Sequence, residues 1–158
     1  MSINMKNIAI RSAKNSDLPK LAKFLQVLVD AERPFDPTLK TGEIFYYDIQ
    51  ELILDQKTEV LVVDYNSEVI GCGYAQIREA NEYEQHEVFG YLGFMFVDEE
   101  FRGKGISNLL LNDLKKWILN QGINEVRLQV YDENESAVRA YEKAGFKKLT
   151  TMMRCNIG

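Results

Sequence analysis

Apolar residues recur along the chain with two different periods, and the switches between them outline a fold. Ile8, Ala9 and Ile10 open a short β-like run over 8–11. Leu18, Leu21, Ala22, Leu25, Leu28 and Val29 then repeat at helical spacing, with Ser16 as an N-cap and Pro19 inside the first turn. Pro34 and Pro37 break that helix. Phe45, Ile49, Leu52 and Ile53 share one face of a second helix, predicted over about 42–56. Two β-branched runs, 59–65 and 69–77, flank the short connection Asn66-Ser67-Glu68 and read as a hairpin. After a polar stretch, residues 88–97 are apolar at nearly every position, as in a central strand covered on both faces. Gly90 and Gly93 within it predict a bulge or a close backbone approach. Ile106, Leu109, Leu110, Leu114, Trp117 and Ile118 form the stripe of a further helix, ended by Gln121-Gly122. Val126, Leu128 and Val130 alternate in a strand over 125–131. Asn134 starts a last short helix stopped by Gly145, and 146–156 read as a final strand. The order β-α-α-β-β-β-α-β-α-β describes a mixed α/β domain around one sheet.

No repeat, low-complexity tract or linker divides the 158 residues, so 1–158 reads as a single domain. Nineteen Lys plus Arg stand against 24 Asp plus Glu, a formal charge of −5. An acidic chain lacks the dense basic face that nucleic acid requires, and it suits a cationic partner better. One histidine, His86, and two cysteines, Cys72 and Cys155, are too few and too scattered for a zinc site, so no metal is expected. Both cysteines lie in strand-like runs and read as buried thiols in a reducing compartment. No signal-like core or membrane-length run is present, so the expected address is the cytoplasm, with no membrane partner.

The most informative unit is strand, then Arg102-Gly103-Lys104-Gly105-Ile106-Ser107, then amphipathic helix. A helix N-terminus presents unpaired N–H groups and a partial positive charge, and glycines let a phosphate approach the main chain. Arg102 and Lys104 add charge at the rim, so a diphosphate is the natural guest. The spacing fits neither the P-loop nor the dinucleotide fingerprint, and glycine could serve here merely to turn the chain. A second unit follows about thirty residues later. Asn134, Ala137, Ala140 and Tyr141 sit on one helix directly after a strand, with small residues leaving room for a ligand beside the phenol. Taken alone, Asn134 is equally a helix cap and Tyr141 a packing residue.

Together these two units resemble the GCN5-related N-acetyltransferase (GNAT) family, from Ile8-Ala9-Ile10-Arg11 to Gly145-Phe146. Ser107 departs from the family loop, whose last residue is Gly or Ala, but it is small. The resemblance implies a mostly antiparallel central sheet flanked by helices, with the strands of Met95 and Val130 splayed into a V-shaped slot. It implies acetyl-CoA as co-substrate, its diphosphate on the amides of 103–107 and its pantetheine arm paired with Met95, Phe96 and Val97. Arg102, Gly103, Lys104, Gly105, Ile106, Ser107, Asn134, Ala137 and Tyr141 complete the expected cofactor site. A homodimer is compatible with the resemblance.

Acetyl transfer to an amine needs a neutral nitrogen, a polarised carbonyl and a protonated leaving thiolate. An alkyl ammonium has a pKa near ~10.4 and a thiol near ~8.5, so a base and an acid are both called for. Tyr141 matches the family's acid position, and the amide of Met95 or a neighbour would polarise the carbonyl. Relatives carry a base glutamate at positions that here are Tyr91 and Gln129. Glu87 is the nearest upstream carboxylate, with Glu84 and His86 behind it, and is the expected base through a water relay. Glu79, Glu82, Glu84 and Glu87, with Glu32 and Asp36, would draw a cationic acceptor such as a polyamine or an aminoglycoside, although acidic loops also serve solubility. The expected activity is therefore N-acetylation of a small cationic amine. A peptide or protein N-acetylase, or a CoA-binding domain without turnover, are the alternatives.

Overall fold

Runs that neighbour one another in sequence become neighbours in the sheet. The computed structural model of the chain describes residues 2–158. Its elements are β1 (Ile8–Ser12), α1 (Leu18–Glu32), α2 (Ile49–Leu54), β2 (Thr58–Tyr65), β3 (Glu68–Glu79), β4 (Val88–Val97), α3 (Ile106–Asn120), β5 (Val126–Leu128) and α4 (Glu135–Lys143). The strands lie in the order β1-β2-β3-β4-β5. Every pair is antiparallel except β4 with β5, which is parallel because α3 carries the chain back across the sheet. The hairpin between β2 and β3 turns on Asn66 and Ser67, both at positive φ, 52° and 69°. Two consecutive left-handed residues give the twist that a tight antiparallel hairpin needs.

Each sheet face has its own core. On one side α1 and α2 place Leu21, Phe24, Leu25, Val29 and Ile49 against Val62, Tyr74, Phe94 and Phe96. On the other, α3 places Ile106, Leu110, Leu114 and Ile118 against Val63, Ile70 and Leu92.

The bulge expected in β4 is present, and it resolves a conflict in the alternation. Register slips between Cys72 and Tyr74, so β4 holds one extra residue there, and Phe94 takes up the strain at φ 52°. Leu92 and Phe94, two residues apart, therefore fall on opposite faces. The glycines have another role than the left-handed turn. A Cβ on Gly93 would stand 2.3 Å from Tyr74 Cζ, so its absence lets that ring rest on the strand.

Some expectations are corrected. The second helix is Ile49–Leu54 rather than 42–56. The Gln26 side-chain amide takes both backbone groups of Ile44, and Asp48 caps the amide of Glu51, so the helix cannot extend backwards. The strand at 125–131 narrows to Val126–Leu128. Residues 146–156 form no strand, because so short an edge gives them nothing to pair with. They run along the surface instead, tied by Lys148 to Asp132 and by Arg154 to Asp36 and Thr38. Cys155 is consequently exposed, whereas Cys72 is buried as expected. α1 begins at Leu18, since Asp17 rather than Ser16 stands at its cap, its carboxylate bonded to Arg11 and to the Lys14 amide. No helix among the described residues is long and apolar enough to cross a membrane.

Candidate functional site

The sheet opens where β4 and β5 part. Their pairing covers only Gly90–Val126, Tyr91–Arg127 and Leu92–Leu128, and the bulge turns the rest of β4 away. Met95 and Val97 face the α3 side and Phe94 and Phe96 the α1 side, leaving one backbone edge of 93–97 without a partner strand. At the mouth of the gap, Tyr91 Oη donates to Gln129 Oε1 at 3.3 Å. Arg78 lies over the Tyr91 ring at 3.7 Å.

Past β4 the loop 102–105 enters α3. Gly103 and Gly105 have φ of 73° and 81°, and a Cβ on either would meet open space. Conformation, not crowding, selects glycine at both positions. Gly105 is the N-cap and contributes no capping side chain, so the first-turn amides of α3 are left to solvent or to an anion. In the loop Arg102, Gly103 and Gly105 are exposed and Lys104 is half-buried, while Ile106 is 1% exposed and belongs to the core. Only its backbone is available to a ligand. Arg102 folds back, donating from Nε to the Val97 carbonyl at 2.8 Å with its guanidinium beside Phe96. A cleft of about 580 Å³ runs from this loop along α1, where the cations Lys20, Lys23 and Arg102 outnumber the carboxylates Asp98 and Glu99. This arrangement suits an elongated anionic ligand: an open loop of amides, cations at its edge, and an unpaired strand beyond.

Asn134 caps α4, its Oδ1 accepting from the Ala137 amide at 3.4 Å. This positions Tyr141 two turns along, half-buried, its ring edge-on to Phe146 at 5.8 Å. Burial raises the Tyr141 phenol above the ordinary tyrosine range, and the charge of Glu32 and the nearby Tyr91 add to the shift.

Glu87 lies apart from this group. It is exposed just before β4, and its carbonyl accepts from the Ala80 amide at 2.9 Å. Tyr91, whose charge acts on the Tyr141 phenol, is four residues on, roughly 13 Å along the strand. The neighbouring Glu84 and His86 are paired with Arg127 and Glu125. Of the glutamates in this stretch, Glu84 is thus engaged by Arg127 of β5 and by the Asn81 amide.

A different carboxylate acts on the phenol through its charge. Glu32 ends α1 on its core-facing stripe, and burial raises its carboxyl above the usual range, opposed by the Tyr46 hydroxyl. Burial raises the phenols of Tyr46, Tyr47 and Tyr131, and the charge of Glu32 adds to each shift. A cleft of about 330 Å³ adjoins through Tyr46 and Tyr47, with Asp48, Glu51 and Asp55 facing the single cation Arg78. Sequence reading placed Glu32 only in a general acidic surface. Its spacing from Leu25, Leu28 and Val29 (seven, four and three residues) was the available sign that it points inward.

Comparison with known proteins agrees with this geometry. Residues 24–146 match the model of the acetyltransferase (GNAT) family. A mutant form of the BH1408 protein of Bacillus halodurans aligns with a TM-score of 0.86 at 19% identity, covering 94% of this chain and 99% of that one. A predicted acetyltransferase of Clostridium acetobutylicum, crystallised with acetyl-CoA, aligns at 0.71 and 16%, covering 94% and 96%. The aminoglycoside acetyltransferase meta-AAC0020 from an uncultured soil metagenomic sample aligns at 0.70 and 19%, covering 98% and 99%. At such identities the three structures share the fold.

Proposed function

Because the chain belongs to the acetyltransferase (GNAT) family, whose enzymes use acetyl-CoA as co-substrate, we propose that it moves the acetyl group directly onto the primary amine of a small cationic molecule. The observation that carries this reading is the half-buried Tyr141 phenol on α4, electrostatically coupled to Tyr91 of β4 where β4 and β5 separate. The residues fit the co-substrate in three places. Amides of 103–107 at the start of α3 would hold the diphosphate, with Arg102 and Lys104 alongside. The unpaired backbone edge of Met95, Phe96 and Val97 would pair with the amide-bearing arm, and an N–H there would polarise the thioester carbonyl. Ala137, on the turn capped by Asn134, leaves space beside Tyr141.

Tyr141 donates its proton to the departing sulfur. No covalent acyl-enzyme is required, which agrees with the burial of Cys72 and the raised pKa of its thiol. Glu87, a stretch of strand away and exposed, could reach the amine only through a chain of waters. A small acceptor, rather than a peptide, is favoured by the modest acidic cleft beside Tyr46 and Tyr47.

Thiol release from acetyl-CoA in the presence of an amine panel tests the reading. Cationic amines should be acetylated and acidic ones left untouched. Tyr141→Phe should lower kcat about 10²-fold with little change in the KM for acetyl-CoA. Calorimetry showing no saturable binding of acetyl-CoA would overturn the proposal.

A further inference from the structure

Glu32 sits where a carboxylate is costly. It lies on the α1 stripe that also carries Leu25, Leu28 and Val29, so its side chain turns toward the core rather than the solvent. It also lies in the last turn of α1, where the helix presents partial negative charge and favours a cation. No lysine or arginine among the described residues forms an ion pair with it. Its neighbour Arg33 is drawn the other way, onto Asp30 and the carbonyls of Lys40 and Gly42. A half-buried carboxylate at a helix C-terminus without a counter-ion calls for a positively charged visitor.

The surroundings are built from separate parts of the fold. Tyr46 and Tyr47 come from the connection before α2, Tyr131 from beyond β5, and Tyr141 from α4. The connection is pinned by the Gln26 amide on Ile44, and Phe35 stacks on Tyr131 at 5.9 Å. Tyr46 Oη is fully buried yet completes no hydrogen bond, although Glu32 and Tyr131 stand beside it. An unsatisfied buried hydroxyl next to an unpaired carboxylate marks a place that a hydrogen-bond donor completes. Aromatic rings around it add the attraction of their faces for a cation. Farther out, Asp48, Glu51 and Asp55 outnumber Arg78.

Resting on the acetyltransferase reading above, we propose that Glu32 receives the acceptor's ammonium among Tyr46, Tyr47, Tyr131 and Tyr141 and removes its proton, and that the acceptor is an aliphatic diamine or polyamine. Its second charge lies toward Asp48, Glu51 and Asp55. The protons balance. Of the three on the ammonium, one passes to Glu32 and on to water. The nitrogen then bonds to the acetyl carbon as the carbon–sulfur bond breaks, and Tyr141 protonates the sulfur. The second amine proton returns to the Tyr141 oxygen, and the third stays on the amide. A carboxyl raised by burial above its ordinary range holds a proton more readily, as this task asks. The Tyr46 hydroxyl acts directly on the Glu32 carboxyl, and the charge of Glu32 acts on Tyr47, Tyr131 and Tyr141, with Asp36 and Arg154 acting on Tyr131.

The test compares wild type with Glu32→Gln on butane-1,4-diamine, butylamine and 2,2,2-trifluoroethylamine, with acetyl-CoA affinity measured by calorimetry on both proteins. Wild type should prefer the diamine to butylamine by about tenfold or more in kcat/KM, as one extra ion contact predicts. Glu32→Gln should lose about 10²–10⁴ in kcat/KM on both alkylamines. It should also lose the fall in kcat/KM toward acid pH. On trifluoroethylamine, which arrives already neutral, the variant should stay within a few-fold of wild type. Glu51→Gln should shrink the preference for the diamine. The proposal is overturned if Glu32→Gln acetylates the diamine at the wild-type rate. It is equally overturned if the variant loses activity on trifluoroethylamine to the same degree, since that marks a structural role. Should Glu32→Gln fail to bind acetyl-CoA, Glu32→Asp decides. A retained acid limb supports the base role, and a lost one overturns it. Wild type that binds acetyl-CoA but acetylates no amine would sink the acetyltransferase reading itself, a result distinct from every outcome with the variants.

Discussion

The two faces of the sheet are built from different materials. Against α3 the buried side chains are aliphatic apart from Phe101: Leu61, Val63, Ile70, Leu92, Ile106, Leu110, Leu111, Leu114, Ile118 and Ile123 carry the packing. Against α1 and α2 the buried set adds Phe24, Tyr74, Phe94 and Phe96 to its aliphatic residues and is flanked by the phenols Tyr46, Tyr47 and Tyr91, whereas the aromatics flanking the α3 face are Tyr65, Trp117 and Phe146. Tyr47 is edge-on to Tyr74 at 5.4 Å, and Tyr74 lies 6.4 Å from Tyr91. Aliphatic packing is dense and demands no polar partners, so the α3 face supplies stability. Each phenol on the other face brings an oxygen that must find a partner, a cost that a purely structural core would avoid. The hydroxyls collect near Glu32 and the strand opening, so the polar investment lies where chemistry is proposed.

Mutations can push on that contrast, beginning with the largest effect. Leu114→Ala on the aliphatic face removes a side chain with no exposed surface and should cost about 3 kcal/mol in urea unfolding. Below the transition its KM for acetyl-CoA should be unchanged, and a shift of more than a few-fold there would blur the division. Gly105→Ala forces a Cβ into the left-handed region and should cost about 1–2 kcal/mol. Unlike Leu114→Ala, it should also weaken acetyl-CoA binding, as read by calorimetry.

Acid should act through the support of the α1 face. Arg11 holds Asp17 below the ordinary carboxylate range, helped by the Lys14 amide, and burial opposes both. A depressed pKa in the folded state means that the stabilisation is complete above the unfolded value, near ~3.9, and is lost as pH falls through the folded value. Asp17→Asn should therefore lower stability at neutral pH and flatten its decline in that acid window, by thermal melts at a series of pH values. Tyr46→Phe has the smallest expected effect on folding. Deleting a buried, unsatisfied hydroxyl should shift stability by less than about 1 kcal/mol, in the stabilising direction, while lowering kcat/KM for a diamine. Lost stability together with unchanged activity would place Tyr46 with the structural residues.

Local patterns made much of this legible. The left-handed entry to α3 could be read because Gly103 and Gly105 are the residues that such a turn selects, and an uncapped helix start follows from their lack of side chains. Asn134 was readable for the same reason, since its short side chain reaches the third amide of α4. The failures share a cause. Helical spacing in 42–56 was real, but Gln26, far upstream on α1, had already taken the backbone of Ile44. The run 146–156 has the composition of a strand, yet a strand exists only where another edge offers its hydrogen bonds.

The same division holds for the site. The glycine loop, the Asn134 cap, the bulge and the family follow from short-range steric and hydrogen-bonding preferences, which act between residues near in sequence and are therefore written in it. The identity of the carboxylate acting on Tyr141 is not of that kind. Glu87 and Glu32 are both glutamates in acidic company, and only the crossing of α1 over the sheet buries one while the other stays in water. Burial and the approach of side chains from distant segments are properties of the packed chain, and they decide which ordinary residue acquires unusual chemistry.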